Sequence, residues 1–168
     1  MKKLKKNKRI AVYPGTFDPV TNGHLDIMKR GLKMFDTLIV AVAHNPGKVP
    51  TFTVAERMEL IRKATRGLKN IRVDQFQNLL TDYMRSVGGG VIIRGLRAVT
   101  DYEFELQMGL MNRALDPSVE TIFVIPSEEY SFLSSRLIKE IAQLKGSVKG
   151  LVPMGVESLL KKKLRVAR

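Results

Sequence analysis

The sequence has no cysteine among its 168 residues, and no apolar run near the length that a membrane-spanning helix needs. The absence of cysteine excludes a disulfide framework, thiolate catalysis and any zinc site built on cysteine. The pairs Pro14-Gly15 and Asp18-Pro19 interrupt the apolar segment that follows the basic N-terminus, so this segment does not match the apolar region of a signal peptide. We therefore expect a cytoplasmic enzyme or binding protein that has no membrane partner.

The excess positive charge lies at the two ends of the chain. Of the formal net charge of +13, eleven charges come from residues 1–9 and 161–168, which contain no acidic residue, so the segment between them carries only +2. We therefore expect a basic N-terminal extension over 1–8, a folded domain over 9–160 and a solvated basic tail over 161–168, with no nucleic-acid partner. A non-catalytic nucleic-acid-binding protein is the alternative from another functional class.

Strand and helix patterns alternate along the chain. Short apolar runs predict five strands, at 9–13, 38–43, 71–75, 91–93 and 121–125. Amphipathic segments predict helices at 23–34, 53–66, 79–87 and 100–115, then one ending at 144 and one beginning after 155. Capping-box patterns at Thr53–Glu56 and Thr100–Glu103 mark two of the helix starts. This order predicts a single-domain α/β fold with a doubly wound, parallel five-stranded sheet of Rossmann-like type.

Four polar, glycine-bearing or basic segments follow predicted strands, at 14–24, 44–48, 94–97 and 127–135. Ligands of doubly wound sheets bind outside the carboxyl ends of the strands, so we expect these segments to converge on one site. The first segment is a loop that leads into a helix N-terminus, an arrangement that suits a phosphate. Together the segments contribute cationic or hydrogen-bonding side chains: Thr16, His24, Lys48, Arg94, Arg97, Ser134 and Ser135.

This set of side chains favours transfer between two phosphate groups. It contains no pair of carboxylates, which argues against glycoside hydrolysis. The sequence has neither a P-loop nor a Gly-x-Gly-x-x-Gly dinucleotide fingerprint. A substrate phosphate is ionised at neutral pH and can itself be the nucleophile, so the protein needs only to align the reactants and stabilise the developing charge.

Each of these residues also has a purely structural interpretation. Lys48 follows a Pro-Gly turn and could be solvated, Arg94 could form a structural salt bridge, and Ser134-Ser135 could cap a helix. Glu105, inside a predicted helix, could be a surface residue. Apolar residues that recur at helical spacing in the same segment are expected to face the core rather than another subunit: Met108, Met111 and Leu115.

The segment from Gly15 to His24 resembles a known signature. Gly-Thr-Phe-Asp-Pro over 15–19 and Thr-Asn-Gly-His over 21–24 are similar to the motif of the nucleotidyltransferase superfamily in its Thr-x-Gly-His form. The resemblance extends over roughly residues 9–160. Four further segments are similar to those of the phosphopantetheine adenylyltransferase family of bacterial coenzyme A synthesis: Ile93–Arg97, Asp101–Glu105, Met111–Arg113 and Ser131–Ser135.

The resemblance implies an activity and a set of site residues. The family transfers AMP from ATP to 4′-phosphopantetheine, giving dephospho-coenzyme A and pyrophosphate, with Mg²⁺ bound through the ATP phosphates and no protein ligand. His24 and Thr16 match positions that contact the α-phosphate, with His24 as the transition-state stabiliser. The implied acceptor site consists of Thr16, Lys48, Leu80 and Arg94, with Lys48 and Arg94 on the acceptor phosphate. The implied ATP site consists of Thr16, Phe17, His24, Gly95, Leu96, Arg97, Glu105, Tyr130, Ser131, Phe132, Leu133, Ser134, Ser135 and Arg136. Family members are typically homohexamers.

Two positions depart from the family pattern, and one rival activity stays open. Arg136 stands where some members have a third serine, and Asn78 stands where an aspartate is common, just before the acceptor-contacting leucines. The motif ending at His24 does not separate this family from other adenylyl- or cytidylyltransferases, such as those acting on nicotinate or nicotinamide mononucleotide. The 94–97 and 131–135 segments favour phosphopantetheine.

Overall fold

The computed structural model describes residues 9–44, 47, 49–97 and 99–166. Within these residues the chain forms five strands: β1 (Ile10–Gly15), β2 (Thr37–Ala43), β3 (Ile71–Phe76), β4 (Val91–Gly95) and β5 (Glu120–Val124). In the same residues it forms six helices: α1 (Asn22–Met34), α2 (Val54–Ala64), α3 (Leu80–Val87), α4 (Val99–Leu115), α5 (Ser135–Gln143) and α6 (Val156–Val166). A short 3₁₀ turn, Glu128–Tyr130, lies between β5 and α5. The predicted strands and helices are all present, with bounds shifted by two residues at most.

These strands form one parallel sheet in the order β3-β2-β1-β4-β5. The chain builds outward from β1 to β3 and then crosses to β4 on the other side of β1. The loops that follow β1 and β4 therefore lead away in opposite directions, and such a switch point leaves a crevice at the carboxyl ends of the two strands. The predicted doubly wound parallel sheet is confirmed.

The two faces of the sheet are covered unequally. Helices α1, α2, α5 and α6 pack on one face, where the larger core includes Val40 and Ile61. Helices α3 and α4 lie on the other face, where a smaller core includes Ile39 and Met84. Successive residues of a strand point to opposite faces, so the continuous apolar run of β2 is explained by burial on both sides.

Helix α4 buries two polar residues and leaves most of its large apolar residues exposed. Glu105 and Asn112 are buried, and Gly109 lies between them against Thr121, where an added side chain would come within 3.5 Å. The prediction that this helix buries its apolar residues is wrong, because the inward positions at helical spacing, 105, 109 and 112, are the polar or small ones. Four exposed residues form what we call the α4 apolar stripe: Phe104, Met108, Met111 and Leu115.

The two predicted capping boxes differ in outcome. Thr53 Oγ1 accepts a hydrogen bond from the backbone N–H of Glu56 at 3.2 Å, and Glu56 Oε2 accepts from the backbone N–H of Thr53 at 2.8 Å, as predicted for the start of α2. Helix α4 begins at Val99, so Thr100 lies inside its first turn and not at the predicted N-cap.

The C-terminal part of the chain is fastened to the rest of the domain. Asn22, the first residue of α1, donates from Nδ2 to the carbonyl of Gly150 at 2.7 Å and from its backbone N–H to the carbonyl of Leu151 at 2.9 Å. Helix α6 continues through the expected boundary at residue 160, and Lys163 pairs with Glu56 at 2.7 Å. Residues 161–166 of the expected tail therefore belong to a helix that contacts α2. No described helix, α6 included, combines the length and apolar character needed to span a bilayer.

Candidate active site

Two adjoining cavities lie at the carboxyl ends of β1 and β4, at the switch point of the sheet. Their volumes are about 230 Å³ and about 270 Å³. We call the smaller the polar cavity and the larger the apolar cavity, after the side chains that line most of each. The residues that line both form the shared wall: Pro14, Gly15, Thr16, Arg94 and Glu105.

The polar cavity is enclosed by the loop after β1, the first turn of α1, the end of β4 and the segment before α5. Three of the four segments predicted to converge therefore meet here. The fourth, 44–48, is described only at His44 and Gly47, and the predicted site residue Lys48 lies outside the described residues. The predicted site residues that line the cavity are Thr16, Phe17, His24, Arg94, Gly95, Arg97, Glu105, Tyr130, Leu133, Ser134 and Ser135.

The apolar cavity extends from the shared wall into the space between α3 and α4. Leu80, the predicted acceptor contact, lines it. Thr121 adds a buried hydroxyl that has no hydrogen-bond partner among the described residues. Sequence reasoning missed most of this cavity, because these lining residues come from four elements that are far apart in the sequence: Ala43, Phe76, Phe104, Met108, Gly109, Asn112 and Thr121.

Some predicted ATP-site residues lie away from both cavities. Among the described residues, Leu96, Ser131, Phe132 and Arg136 line neither of them. Phe132 is 60% exposed. Arg136 donates from Nε to Glu140 Oε1 at 3.0 Å on the solvent side of α5. The other departure from the family pattern, Asn78, is also exposed, in the loop before α3.

His24 lies in the first turn of α1, and the residue that caps this helix holds its ring. The backbone N–H of Thr21 donates to His24 Nδ1 at 3.0 Å, and Thr21 Oγ1 lies 3.0 Å from the same nitrogen. Because Nδ1 accepts a hydrogen bond, the proton of the neutral imidazole is on Nε2, which is left to donate toward the polar cavity. Thr21 was not singled out from the sequence, although a threonine followed three residues later by a polar residue is the capping-box spacing.

The surroundings of His24 keep its ring neutral. Burial in the loop, followed by the positive charges of Arg97 and Arg94, lowers the pKa of His24 to about 4. At neutral pH the residue is therefore an uncharged hydrogen-bond donor. It can stabilise negative charge on a bound group, but it lacks the second ring proton that an imidazolium ion gives up as a general acid.

Arg94 crosses the shared wall and is held from two directions. Its Nε and Nη2 each donate to a carboxylate oxygen of Glu105 at 2.6 Å, and its Nη1 donates to the carbonyl of Pro14 at 2.7 Å. The salt bridge considered as the structural alternative is therefore present. Three of the five N–H groups are used in this way, so two remain available for an anion. Glu105 is a buried partner of Arg94 and not the surface residue that its helical position also allowed.

Arg97 links α4 to the segment that precedes α5. Its Nε and Nη2 donate to the carboxylate of Asp101 at 3.0 and 3.2 Å, and its Nη1 donates to the carbonyl of Leu133 at 2.6 Å. With Arg94, it places two guanidinium groups along one side of the polar cavity. This side of the cavity is therefore suited to a group that carries several negative charges.

The two serines before α5 also have structural hydrogen bonds. Ser134 caps α5, since its Oγ accepts from the backbone N–H of Leu137 at 3.0 Å. Ser135 donates its hydroxyl to the carbonyl of Pro19 at 2.7 Å, which ties the start of α5 to the loop after β1. The N-cap interpretation is confirmed for Ser134, and both residues line the polar cavity at a helix N-terminus, where an anion is favoured.

The described residues contain no group of three histidine, aspartate or glutamate side chains that could hold a metal ion. Glu105 is the carboxylate of the polar cavity, and Arg94 engages both of its oxygens. The remaining polar side chains of this cavity are hydrogen-bond donors or hydroxyls. Such a set is suited to the phosphates of a ligand and offers little to the inner coordination shell of a cation.

Comparison with known proteins identifies the family. The sequence profile of the family described as Cytidylyltransferase-like matches residues 12–141. A protein named phosphopantetheine adenylyltransferase, from Thermodesulfovibrio yellowstonii, is 56% identical over 158 residues, which cover 94% of this chain and 98% of that protein. Proteins of the same name from Syntrophus aciditrophicus and Caldanaerobacter subterraneus subsp. tengcongensis are 55% and 51% identical, over 87% and 94% of this chain and 88% and 98% of theirs. The chain therefore belongs to the cytidylyltransferase-like family of nucleotidyltransferases and, within it, to the phosphopantetheine adenylyltransferases.

Proposed function

We propose that the chain catalyses, in the cytoplasm, the reversible transfer of AMP from ATP to 4′-phosphopantetheine, giving dephospho-coenzyme A and pyrophosphate. The observation that carries the proposal is the pair of cavities that meet at one wall. One is lined by cations and hydrogen-bond donors and suits a nucleoside triphosphate. The other is lined mainly by apolar side chains and suits a long acceptor arm. The names of the relatives state the same acceptor and the same transferred group.

The shared wall is where the two substrates would react. An oxygen of the acceptor phosphate attacks the α-phosphorus of ATP, forming a new P–O bond, and the bond to the β-phosphate oxygen breaks to release pyrophosphate. Thr16 and Arg94 line both cavities and would hold the two phosphates next to each other. His24 would donate from Nε2 to the α-phosphate as charge develops there, which is the role of a transition-state stabiliser.

The other predicted residues are assigned by the cavity that they line. Arg97 and the serines before α5 would contact the β- and γ-phosphates, and Leu80 would contact the acceptor arm. Lys48 stays in the proposal as a second cation on the acceptor phosphate, on the strength of the family resemblance alone. Mg²⁺ would be bound through the ATP phosphates, where it neutralises charge. The donor-rich polar cavity supports this arrangement, since its carboxylate is engaged by Arg94.

The rival acceptors, nicotinate or nicotinamide mononucleotide, fit the structure less well. Both are compact and polar, with a charged ring and a ribose. The apolar cavity presents Phe76, Leu80 and Met108, and these three side chains offer no hydrogen-bond partner to the polar groups of a ribose. A pantetheine arm offers methyl and methylene groups to the same surface.

Pyrophosphate release tests the proposal directly. The protein is incubated with MgATP and either 4′-phosphopantetheine or nicotinamide mononucleotide. Release with phosphopantetheine alone is the expected result. Release with the mononucleotide instead would overturn the acceptor while keeping the nucleotidyl transfer. If no pyrophosphate is released with either acceptor, the nucleic-acid-binding alternative is favoured. A filter-binding assay of the protein with and without residues 1–8 would then measure nucleic-acid binding.

We also propose that the protein is a homo-oligomer, with the hexamer of the family as the expected form. The α4 apolar stripe supports this, because four apolar side chains in a row on one helix are a typical interaction surface. Met111→Glu should lower the mass measured by analytical ultracentrifugation. Met34→Glu, which changes an exposed methionine on α1 outside the stripe, is the control. A monomeric unmodified protein at micromolar concentration would contradict the proposal.

A further inference from the structure

We propose that Arg57 is a positioning residue for adenylyl transfer: its buried guanidinium fixes the backbone at Thr16, in the wall that the two cavities share. Arg57 lies on α2, on the core side of the loops, and lines neither cavity among the described residues. The inference rests on the proposed function, because Thr16 is placed there between the two reacting phosphates.

The guanidinium joins three segments that are far apart in the sequence. Arg57 is 1% exposed. Its Nη1 donates to the carbonyl of Thr16 at 2.7 Å and to the carbonyl of Ala43 at 3.1 Å, and its Nε donates to the carbonyl of Phe52 at 3.1 Å. The three acceptors belong to the loop after β1, the end of β2 and the loop before α2. One planar side chain therefore sets the distances between these loops.

The chemistry of this burial indicates a role other than stability. In the described residues the donors of Arg57 bond only to carbonyl oxygens, and no carboxylate pairs with it. The charge of Asp18 acts on Arg57 through space, but the oxygens of Asp18 accept from the backbone N–H groups of Thr51 and Phe52 and from Lys139. A buried cation of this kind costs desolvation free energy that an apolar side chain of similar size would not.

The bond to Thr16 also supports an unfavourable backbone conformation. Phe17, the next residue, has φ of 51°, in the left-handed region that bulky residues rarely adopt. The peptide group between Thr16 and Phe17 is the one whose oxygen Arg57 holds. The strained φ places the Phe17 ring edge-on to His24, with the ring centres 5.1 Å apart. Arg57 therefore acts on both sides of this peptide group, on Thr16 before it and on the packing of His24 after it.

The hydrogen bond from Arg57 to the carbonyl of Ala43 extends the effect to the cavity proposed for phosphopantetheine. Ala43 lines the apolar cavity and is the last residue of β2, directly before the segment 44–48. The Arg57 bond to the Ala43 carbonyl fixes the point from which that segment departs. Without the guanidinium, the loops after β1 and β2 would lose their common anchor, while the residues that contact substrate would all still be present.

Arg57→Met is the test, since methionine fills a similar space without charge or hydrogen bonds. We expect kcat for pyrophosphate release to fall by about 10- to 100-fold, the range associated with misplacement of reacting groups by about 1 Å. The KM for ATP should change by less than about threefold, because Arg97 and the serines before α5 are untouched. Ile61→Val, a buried change one turn further along α2, is the control for loss of packing alone.

Equal effects of Arg57→Met and Ile61→Val on kcat, at matched loss of thermal stability, would overturn the proposal. Arg57→Lys covers the case in which Arg57→Met does not fold. It keeps the charge but cannot reach three carbonyls at once, so it should lose about tenfold in kcat, and an unchanged kcat would also overturn the proposal.

A crystal structure of whichever variant folds separates this inference from the proposed function. The Thr16 carbonyl should turn from its present direction and Phe17 should leave the left-handed region, whatever the acceptor proves to be. If the Thr16–Phe17 peptide group has not moved in the variant, the positioning role is rejected, even when the unmodified protein is fully active with phosphopantetheine. Failure of the unmodified protein to use phosphopantetheine would instead reject the proposed acceptor and leave this structural readout intact.

Discussion

The polar and apolar cavities share a wall but differ in how their residues are held. Around the polar cavity, His24, Arg94 and Arg97 each make hydrogen bonds to other groups of the protein. The apolar cavity is shaped by packing between α3 and α4 and has few such bonds. The cavity that would stabilise charge is therefore preorganised by hydrogen bonds, whereas the cavity that would only contain an arm is defined by its shape.

Removing the donor from the polar cavity should have the largest effect. His24→Ala should lower kcat by about 10²- to 10³-fold, because a preorganised donor to the developing charge is lost. ATP binding should weaken far less, since the arginines and serines remain. Turnover measured as pyrophosphate release and ATP affinity measured by calorimetry check the two parts.

The capping role of the same ring needs its own control. His24→Gln keeps a side chain that can accept from the N-cap backbone, as glutamine does in a capping box, but it lacks the imidazole N–H. If the loss in His24→Ala came only from a loosened α1, His24→Gln would recover most of the activity. Near-normal turnover in both variants would contradict the assignment.

Breaking the shared wall should affect the acceptor more than ATP. Arg94→Ala should raise the KM for phosphopantetheine by about 10- to 100-fold, the range for loss of a charge-assisted contact. Initial rates with each substrate varied in turn give the two KM values. Arg94→Lys leaves a cation beside Glu105, so its KM for phosphopantetheine should lie between those of the unmodified protein and Arg94→Ala. An effect confined to the KM for ATP would show that Arg94 belongs to the polar cavity alone.

A change in the shape of the apolar cavity should have a smaller effect and only on one substrate. Leu80→Ala should raise the KM for phosphopantetheine by about tenfold, because an apolar contact of roughly 1.5 kcal/mol is lost. The KM for ATP should stay within about twofold. Leu79→Ala changes an exposed neighbour that lines neither cavity and should leave both values unchanged. Equal effects of the two changes would show that α3 is merely destabilised.

The smallest effect should come from pH, because the polar cavity already holds His24 neutral. With a pKa of about 4, the ring carries a second proton in only about 3% of molecules at pH 5.5. Its contribution to kcat/KM for ATP, which reports the free enzyme, should therefore change little between pH 5.5 and 7.5. Nitrogen-15 NMR of the imidazole should show a bare Nδ1 and a protonated Nε2 throughout. Titration of His24 near 6.5, or a proton on Nδ1, would contradict the geometry at Thr21.

The lowered pKa of His24 also predicts the direction in which the free energy of unfolding changes with pH. In the unfolded chain a histidine takes up its proton near pH 6.5, whereas in the folded chain it does so only near pH 4. The contribution of His24 to stability is thus present above about pH 6.5 and lost as the pH falls toward 4. Denaturation of His24→Gln across this range should show a weaker pH dependence than that of the unmodified protein.

Sequence patterns were sufficient for the sheet because its strands are local apolar runs separated by clear turn residues. They were also sufficient to predict that Thr16, His24 and Arg94 lie at one edge of the sheet, since the carboxyl ends of parallel strands meet there. They failed for α4. Periodicity identifies an amphipathic helix, but the side that faces inward here is the polar one, because Glu105 must reach the cation of Arg94.

Contacts between distant parts of the chain left no local signal. The ring of His24 is held by a nearby residue and could have been anticipated from capping-box spacing. The role of Arg57 could not have been anticipated, because its three carbonyl partners lie in different parts of the chain and a backbone carbonyl has no sequence signature. Leu96 and Phe132 belong to recognised motifs yet line neither described cavity, which shows that a motif marks a segment and not the direction of each side chain in it.

The attachment of Asn22 to Gly150 and Leu151 has a consequence for the order in which the protein matures. On the ribosome, the start of α1 is made early, and its anchor follows only 128 residues later. A nascent chain that has completed β1, α1 and β4 still lacks the partner that fixes the first turn of α1, the turn that carries His24. Catalytic competence should therefore arise only after Gly150 and Leu151 have been made, later than the sheet itself can form.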